Sequence, residues 1–144
     1  MNLTRLAPLT LTCVLVSSVT ALAQPCIPGA PLTPEQQARR KEGVRLTRSI
    51  NNLEANQPGS RTKTYLRQEE LGSSEFAKRA TGATAELFGK LNFTPGEELA
   101  PGWLLTLDVT ADGYWFMLKD KTDPCGFAYI SNHDGLIYEA QPLR

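Results

Sequence analysis

Residues 103–140 read WLLTLDVTADGYWFMLKDKTDPCGFAYISNHDGLIYEA, and this stretch decides the fold. Four runs rich in aliphatic and aromatic residues, 103–110, 114–119, 127–131 and 136–140, are separated by short polar breaks. Two of those breaks carry Asp-Gly pairs, Asp112-Gly113 and Asp134-Gly135. Asp-Gly between apolar runs is a strong hairpin signal, because glycine accepts the positive φ that a tight reversal needs. The reading is a four-stranded antiparallel meander whose strands pair in sequence order. Trp103, Leu105, Leu107 and Val109 share one side of the first strand. In the second, Tyr114, Phe116 and Leu118 alternate with Trp115, Met117 and Lys119. One face is to be covered by helices. The other keeps an aromatic row, which is either a satellite core under loops or a contact surface.

Upstream of the meander the pattern turns helical. Residues 94–102 hold two breaks, Pro95-Gly96 and Pro101-Gly102, and read as a connecting loop. Before it, Phe76, Ala80, Ala83, Leu87 and Leu91 lie on one face of a helix over 75–91, capped by Ser73 or Ser74. Gly82 and Gly89 weaken that helix by about 1 kcal/mol each against alanine. Residues 65–71 read as a short helical turn, and Pro58-Gly59 breaks the chain before it. A longer helix starts at Thr33-Pro34-Glu35-Gln36, where Thr33 is the N-cap, Pro34 suits the first helical position and Gln36 completes a capping box. It runs to Glu54 or Ala55, with Leu46, Ile50 and Leu53 as a narrow apolar stripe and arginine or lysine over much of the rest. Helices first and hairpin-linked strands after make an α+β fold, with N-terminal helices packed on the sheet.

The first 23 residues read as a secretory signal peptide. Arg5 is their single charge, an apolar core diluted by Thr and Ser follows, and Ala21-Leu22-Ala23 offers small residues for cleavage after Ala23. The run is short for a bilayer span, which needs about 20 apolar residues. A lipid-modified Cys13 is the competing reading, which Thr10 and Thr12 fit poorly. Residues 24–32 form an extended Pro-rich leader, and 33–144 a single globular domain. After cleavage, 14 basic residues face 15 acidic ones, a formal charge of −1, which argues against nucleic acid as the main partner. The charge is uneven: residues 39–79 carry ten basic and five acidic residues, and 80–144 four and nine. The two halves either attract each other across the domain or leave a basic helical face for an acidic partner.

Cys26 and Cys125 remain in the mature chain, and two thiols in an oxidising compartment are expected to pair. Their loop spans 100 residues, for which chain entropy gives roughly 4 to 5 kcal/mol at most. Free thiols or a metal pair are the alternatives, although two Cys with one His make a poor zinc set.

Catalytic equipment is sparse. The lone histidine, His133, beside Asp134 is either a general base or metal ligand, or a polar residue of a hairpin turn. Asp120, Asp123 and Asp134 could gather near one end of the meander to hold calcium. Ser60 and Lys63 have the Ser-x-x-Lys spacing of penicillin-recognising acyl enzymes without the companion motifs. No phosphate loop, Cys-x-x-Cys or dinucleotide fingerprint is present. No catalytic residue, metal ligand or cofactor is assigned on this basis.

The plan of a long N-terminal helix, a variable connection and a four-stranded meander resembles the globular part of type IV pilin-like proteins and pseudopilins. The residues that carry the likeness are Ser49-Ile50-Asn51-Asn52-Leu53-Glu54, Asp112-Gly113-Tyr114-Trp115-Phe116, Asp123-Pro124-Cys125-Gly126-Phe127 and Asp134-Gly135-Leu136-Ile137-Tyr138. The chain departs from that family in its ordinary export signal, its basic helix and the position of Cys26 ahead of the helix. The resemblance therefore implies an accessory of a pilus or export system, not a filament subunit.

The expectation is a small exported, periplasmic or secreted, non-enzymatic module that binds a protein partner and does not stay in the membrane. Trp115 and Met117 on the sheet, and Arg40, Arg45 and Arg48 on the first helix, are the candidate contacts. The competing functions are a hydrolase or metal-dependent enzyme centred on His133, Asp134 and Asp123, and a ligand carrier with second-strand aromatics lining a pocket between helix and sheet.

Overall fold

The computed structural model describes Cys26, residues 31–56 and residues 65–141. The signal peptide, Cys13, most of the leader, the Pro58-Gly59 break and the Ser60–Lys63 spacing lie outside the described residues.

The first helix, α1 (Pro34–Ala55), starts where its capping box places it. Thr33 Oγ1 accepts from the Gln36 amide at 3.2 Å, and Gln36 Oε1 accepts from the Thr33 amide at 2.9 Å. Together these satisfy two of the donors that a helix start leaves open. Three short helices follow: α2 (Gln68–Leu71), α3 (Glu75–Arg79) and α4 (Gly82–Phe88). Then come β1 (Glu98–Ala100), β2 (Trp103–Val109), β3 (Tyr114–Asp120), β4 (Ala128–Asn132) and β5 (Ile137–Ala140). They form one antiparallel sheet in the order β1-β2-β3-β4-β5.

Three expectations change. The sheet has five strands, not four, because residues 98–100 of the presumed loop pair with β2. Pro101-Gly102 is the hairpin turn between them, with Gly102 at φ +76°, and Leu99 supplies the buried anchor. The helix expected over 75–91 is two helices. The backbone is extended at Ala80 (ψ 144°) and Gly82 turns to φ +57°, so the chain folds back and sets Phe76 edge-on to Phe88 at 6.1 Å. Ala83, expected on the apolar face, is exposed, and Phe88 is buried in its place. The two Asp-Gly pairs also differ. Gly135 takes φ +75° and closes a tight turn through its N–H to the Asn132 carbonyl at 2.8 Å. Gly113 is not among the positive-φ glycines. It gives the imidazole its seat, since a Cβ there would lie 2.4 Å from His133 Nδ1 and the ring would have to move.

The core lies between α1 and one face of the sheet. Leu46, Ile50 and Leu53 form the stripe expected from their spacing and meet Trp103, Phe116, Leu118, Phe127 and Tyr129, all of them fully buried. The helix runs antiparallel to β3: Arg39 near its start reaches Asp120, and Asn51 near its end meets Tyr114. Gly43 marks the closest crossing. A Cβ at Gly43 would lie 2.4 Å from Tyr129 Cε2 and 2.5 Å from Trp103 Cη2. A mid-helix glycine costs helix stability, and here its missing side chain lets two aromatic rings fit beneath the backbone.

Opposite charges hold the two layers together. Arg39 donates to both carboxylate oxygens of Asp120, at 2.8 and 3.2 Å, and lies 4.5 Å above the Trp103 ring. Burial pushes the Asp120 carboxyl up, but hydrogen bonds from Arg39 and Thr122 outweigh it and hold the group below the ordinary range. Arg40 pairs with Asp123 at 4.0 Å and Glu139 at 3.6 Å. The attraction between a basic helical half and an acidic sheet half is thus realised inside the domain. A disulfide between Cys26 and Cys125 ties the segment ahead of α1 to the β3–β4 loop.

Candidate functional site

Alternation along the strands sends every second side chain away from α1. The register aligns the outward residues into rows. Thr106, Met117, Ile130 and Tyr138 stand opposite one another across β2, β3, β4 and β5. A second row places Asp108, Trp115 and Asn132 side by side. A third begins with Leu104 opposite Lys119. No described helix lies over this face: α1 and α2 pack on the opposite side, against the core residues of the inner face.

The outer face is apolar at its centre and charged at its margins. Trp115 is 43% exposed and Tyr138 53%. Met117, Ile130 and Leu104 are partly exposed between and beside them. The indole is not loose: Trp115 Nε1 donates to Asp108 Oδ2 at 3.0 Å across the β2–β3 pair, which fixes the ring plane over the sheet. An aromatic ring held this way loses little freedom when a partner covers it, a property shared by contact residues that contribute strongly to binding.

Of the candidate contacts, Trp115 and Met117 are therefore brought together, with Ile130 and Tyr138 beside them. The arginines are not. Arg40 lies with its guanidinium carbon 3.2 Å from the Phe127 ring centre, and its carbonyl accepts from the Tyr129 hydroxyl at 2.9 Å. With its two ion pairs, Arg40 fastens α1 to the sheet. Arg45 and Arg48 are exposed, on the helix that covers the opposite face from Trp115.

The histidine end has a different character. His133 sits in the β4–β5 turn, seated over Gly113, with Tyr65 at 6.4 Å between ring centres and Asp134 Oδ1 at 3.6 Å from Nε2. An open groove of about 500 Å³ runs here between α1 and the turn, lined by Arg48, Asn51, Asn52, Tyr114, His133 and Asp134. Its inner polar atoms are committed to one another. The Tyr114 hydroxyl donates to Asn51 Oδ1 at 3.0 Å, Asn51 Nδ2 donates to Ser131 Oγ at 2.8 Å, and Ser131 Oγ donates to the Leu136 carbonyl at 2.6 Å. This chain of bonds positions the helix, and it leaves Ser131 donating to a backbone carbonyl and not to His133. Burial pushes the Tyr114 phenol strongly up, so it stays protonated.

Asp123 does not join His133. It lies in the loop before β4 and His133 in the turn after it, at opposite ends of the strand. Asp123 Oδ1 accepts from the Cys125 amide at 2.7 Å, while Asp120 is held by Arg39 and Thr122, so the three aspartates do not gather. No group of His, Cys, Asp or Glu among the described residues is placed to hold a metal ion. Of the second-strand aromatics, Tyr114 borders the groove at the histidine end, Phe116 is fully buried with Tyr114 stacked on it at 6.2 Å, and Trp115 faces away from the helix.

The sequence reading missed Ile130 and Tyr138 as members of the surface. The signal was present: Ile130 alternates with Tyr129 and Ser131, and Tyr138 with Ile137 and Glu139. Without the β4–β5 register, nothing placed them beside Met117.

Among known families, curated proteins and solved structures, none matches this chain. Among the described residues, no helix is long and apolar enough to cross a membrane.

Proposed function

We propose that this chain is an exported, non-enzymatic interaction module that binds a protein partner through the uncovered face of its sheet. The observation that carries the reading is the row Thr106–Met117–Ile130–Tyr138 with Trp115 beside it, largely apolar, with Trp115 and Tyr138 exposed and Met117 and Ile130 half-buried, on a sheet whose other face is filled. Contiguous exposed apolar surface of this kind is a mark of interaction sites. The disulfide fits a chain that matures in an oxidising compartment, and so supports export to the periplasm or the medium. The partner is a protein of the cell envelope or its surroundings that presents an apolar patch. The long helix lying on an antiparallel sheet fits an accessory role in a pilus or export machine.

The test is a pull-down of the tagged mature protein from its own envelope and culture medium, with Trp115→Ala and Tyr138→Ala as controls. A stoichiometric partner lost in both variants, with circular dichroism unchanged, is the expected result. Truncating a central aromatic anchor is expected to weaken binding by about 2 kcal/mol or more, roughly 30-fold in Kd. Capture that is indifferent to both aromatics would show that the sheet face is not the contact.

A further inference from the structure

At the C-terminal end of α1, Glu54 is fully buried. Its Oε2 accepts the N–H of Leu66 at 3.1 Å, across 12 residues of chain. Its Oε1 has no hydrogen-bond partner, and no ion pair of the described residues includes it. A buried carboxyl is normally matched by a cation or several donors, since stripping water from the charged form is costly. Among the described residues, the Leu66 N–H favours the charged form of Glu54, and burial outweighs it. Glu70 of α2 adds like charge, and the neighbouring Tyr114 of β3 is a neutral phenol. Tyr65 stands edge-on to Tyr114 at 5.2 Å, and His133 and Asp134 of the β4–β5 turn stand behind that pair.

The Leu66 amide belongs to the segment that enters α2. That segment rests on Tyr65 against Tyr114 and on Leu71, which is wholly inside the core. The Glu54–Leu66 bond fastens it to the end of α1.

We propose that Glu54 is a proton-operated latch: protonated, it holds residues 65–71 down on the sheet, and ionised, it draws water in and releases them. Only a proton moves, from the carboxyl to solvent. The neutral acid leaves one oxygen unpaired in an apolar site at modest cost, whereas the carboxylate leaves a charge there. Burial, reinforced by Glu70, pushes this carboxyl up to about 7. In the open segment it is a solvated glutamate of ordinary acidity. The raised value means that the closed form binds the proton more tightly. Its stabilisation is therefore complete at pH below about 4.5 and is lost as pH rises to about 7. Above that the closed form persists with a buried charge and opens more often.

The experiment is amide hydrogen exchange of the full mature chain at Leu66 and Leu71, from pH 5.5 to 8.5, corrected for intrinsic exchange rates. The opening constant of this segment is expected to rise by as much as about 30-fold across that range, the factor that linkage gives for a carboxyl moving from about 7 to about 4.5 on release. Glu54→Gln keeps an acceptor for Leu66 and is expected to flatten the profile. His133→Gln, which removes the imidazole beside Tyr65, is expected to preserve the rise. A flat profile in the wild type, a rise that survives in Glu54→Gln, or one abolished by His133→Gln overturns the proposal. Should Glu54→Gln fail to fold, the carboxyl ¹³C shift of Glu54 in the wild type decides. A midpoint near neutrality upholds the latch, and one near that of a free glutamate removes it.

Discussion

At the N-terminal end of α1, a buried carboxylate, Asp120, meets both arms of a guanidinium, and a disulfide and the Arg40 pairs stand close by. At the C-terminal end, a buried carboxyl, Glu54, meets one backbone amide among the described residues, and its Oε1 has no hydrogen-bond partner. The same chemical group, removed from water at both ends of one helix, is pushed in opposite directions. Hydrogen bonds from Arg39 and Thr122 overcome burial at Asp120, and nothing overcomes it at Glu54. Burial alone says little about what a carboxyl does. The donors that accompany it decide whether it fastens a structure or makes it respond to pH.

The strongest way to break the contrast is to loosen the fastened end. Replacing Cys26 and Cys125 by serine is expected to cost about 2–4 kcal/mol, read as a lower urea midpoint with an altered slope. If the midpoint stays, the long loop closed by the bond adds nothing to the folded state. Next in size is Arg39→Ala, which leaves the Asp120 carboxylate buried without its cation. A loss of about 2–3 kcal/mol at pH 7 is expected, and it should shrink towards pH 3 as Asp120 takes up a proton. Asp120 is depressed in the folded state, so its contribution is present above its unfolded value and disappears as pH falls. The smallest effect tests the other end. Glu54→Gln is expected to stabilise the protein by about 1–2 kcal/mol at pH 8, where the wild type buries a charge, and to change little at pH 5. Thermal melts at the two pH values check this. A variant less stable at both would show that the carboxylate finds donors in solution.

Much of this contrast was hidden in the sequence, for reasons that can be named. The start of α1 was legible because a capping box is a local motif, with donor and acceptor three residues apart. The Leu46, Ile50, Leu53 stripe and β2 to β5 were legible because periodicity and turn residues act over short distances. β1 was not: three residues carry no measurable alternation, and its pairing with β2 depends on Pro101-Gly102 acting as a turn and not as a break. The split between α3 and α4 is signalled by Gly82, but a helix-weakening glycine and a helix-ending one look alike in sequence. Arg40 looked like free surface charge because its partners, Asp123 and Glu139, lie 83 and 99 positions away. Gly43 and Glu54 escaped for the same reason. Nothing near Gly43 in the chain announces that Tyr129 and Trp103 will lie beneath it, and a glutamate at the end of a basic helix reads as solvated. Trp115 and Met117 were legible as a pair, but the row that makes them a surface needed the register of β4 and β5.

The bond between Cys26 and Cys125 also has a consequence in time. A chain is made from its N-terminus, and Cys26 is complete 99 residues ahead of the thiol it joins. All four described helices and the first three described strands are synthesised in that interval. The early cysteine must therefore remain reduced, or be held by an oxidant as a mixed disulfide, until the β3–β4 loop arrives. Closure is a late event that can occur only when the sheet's centre has been made. An oxidised molecule is one in which the leader has waited for the third strand.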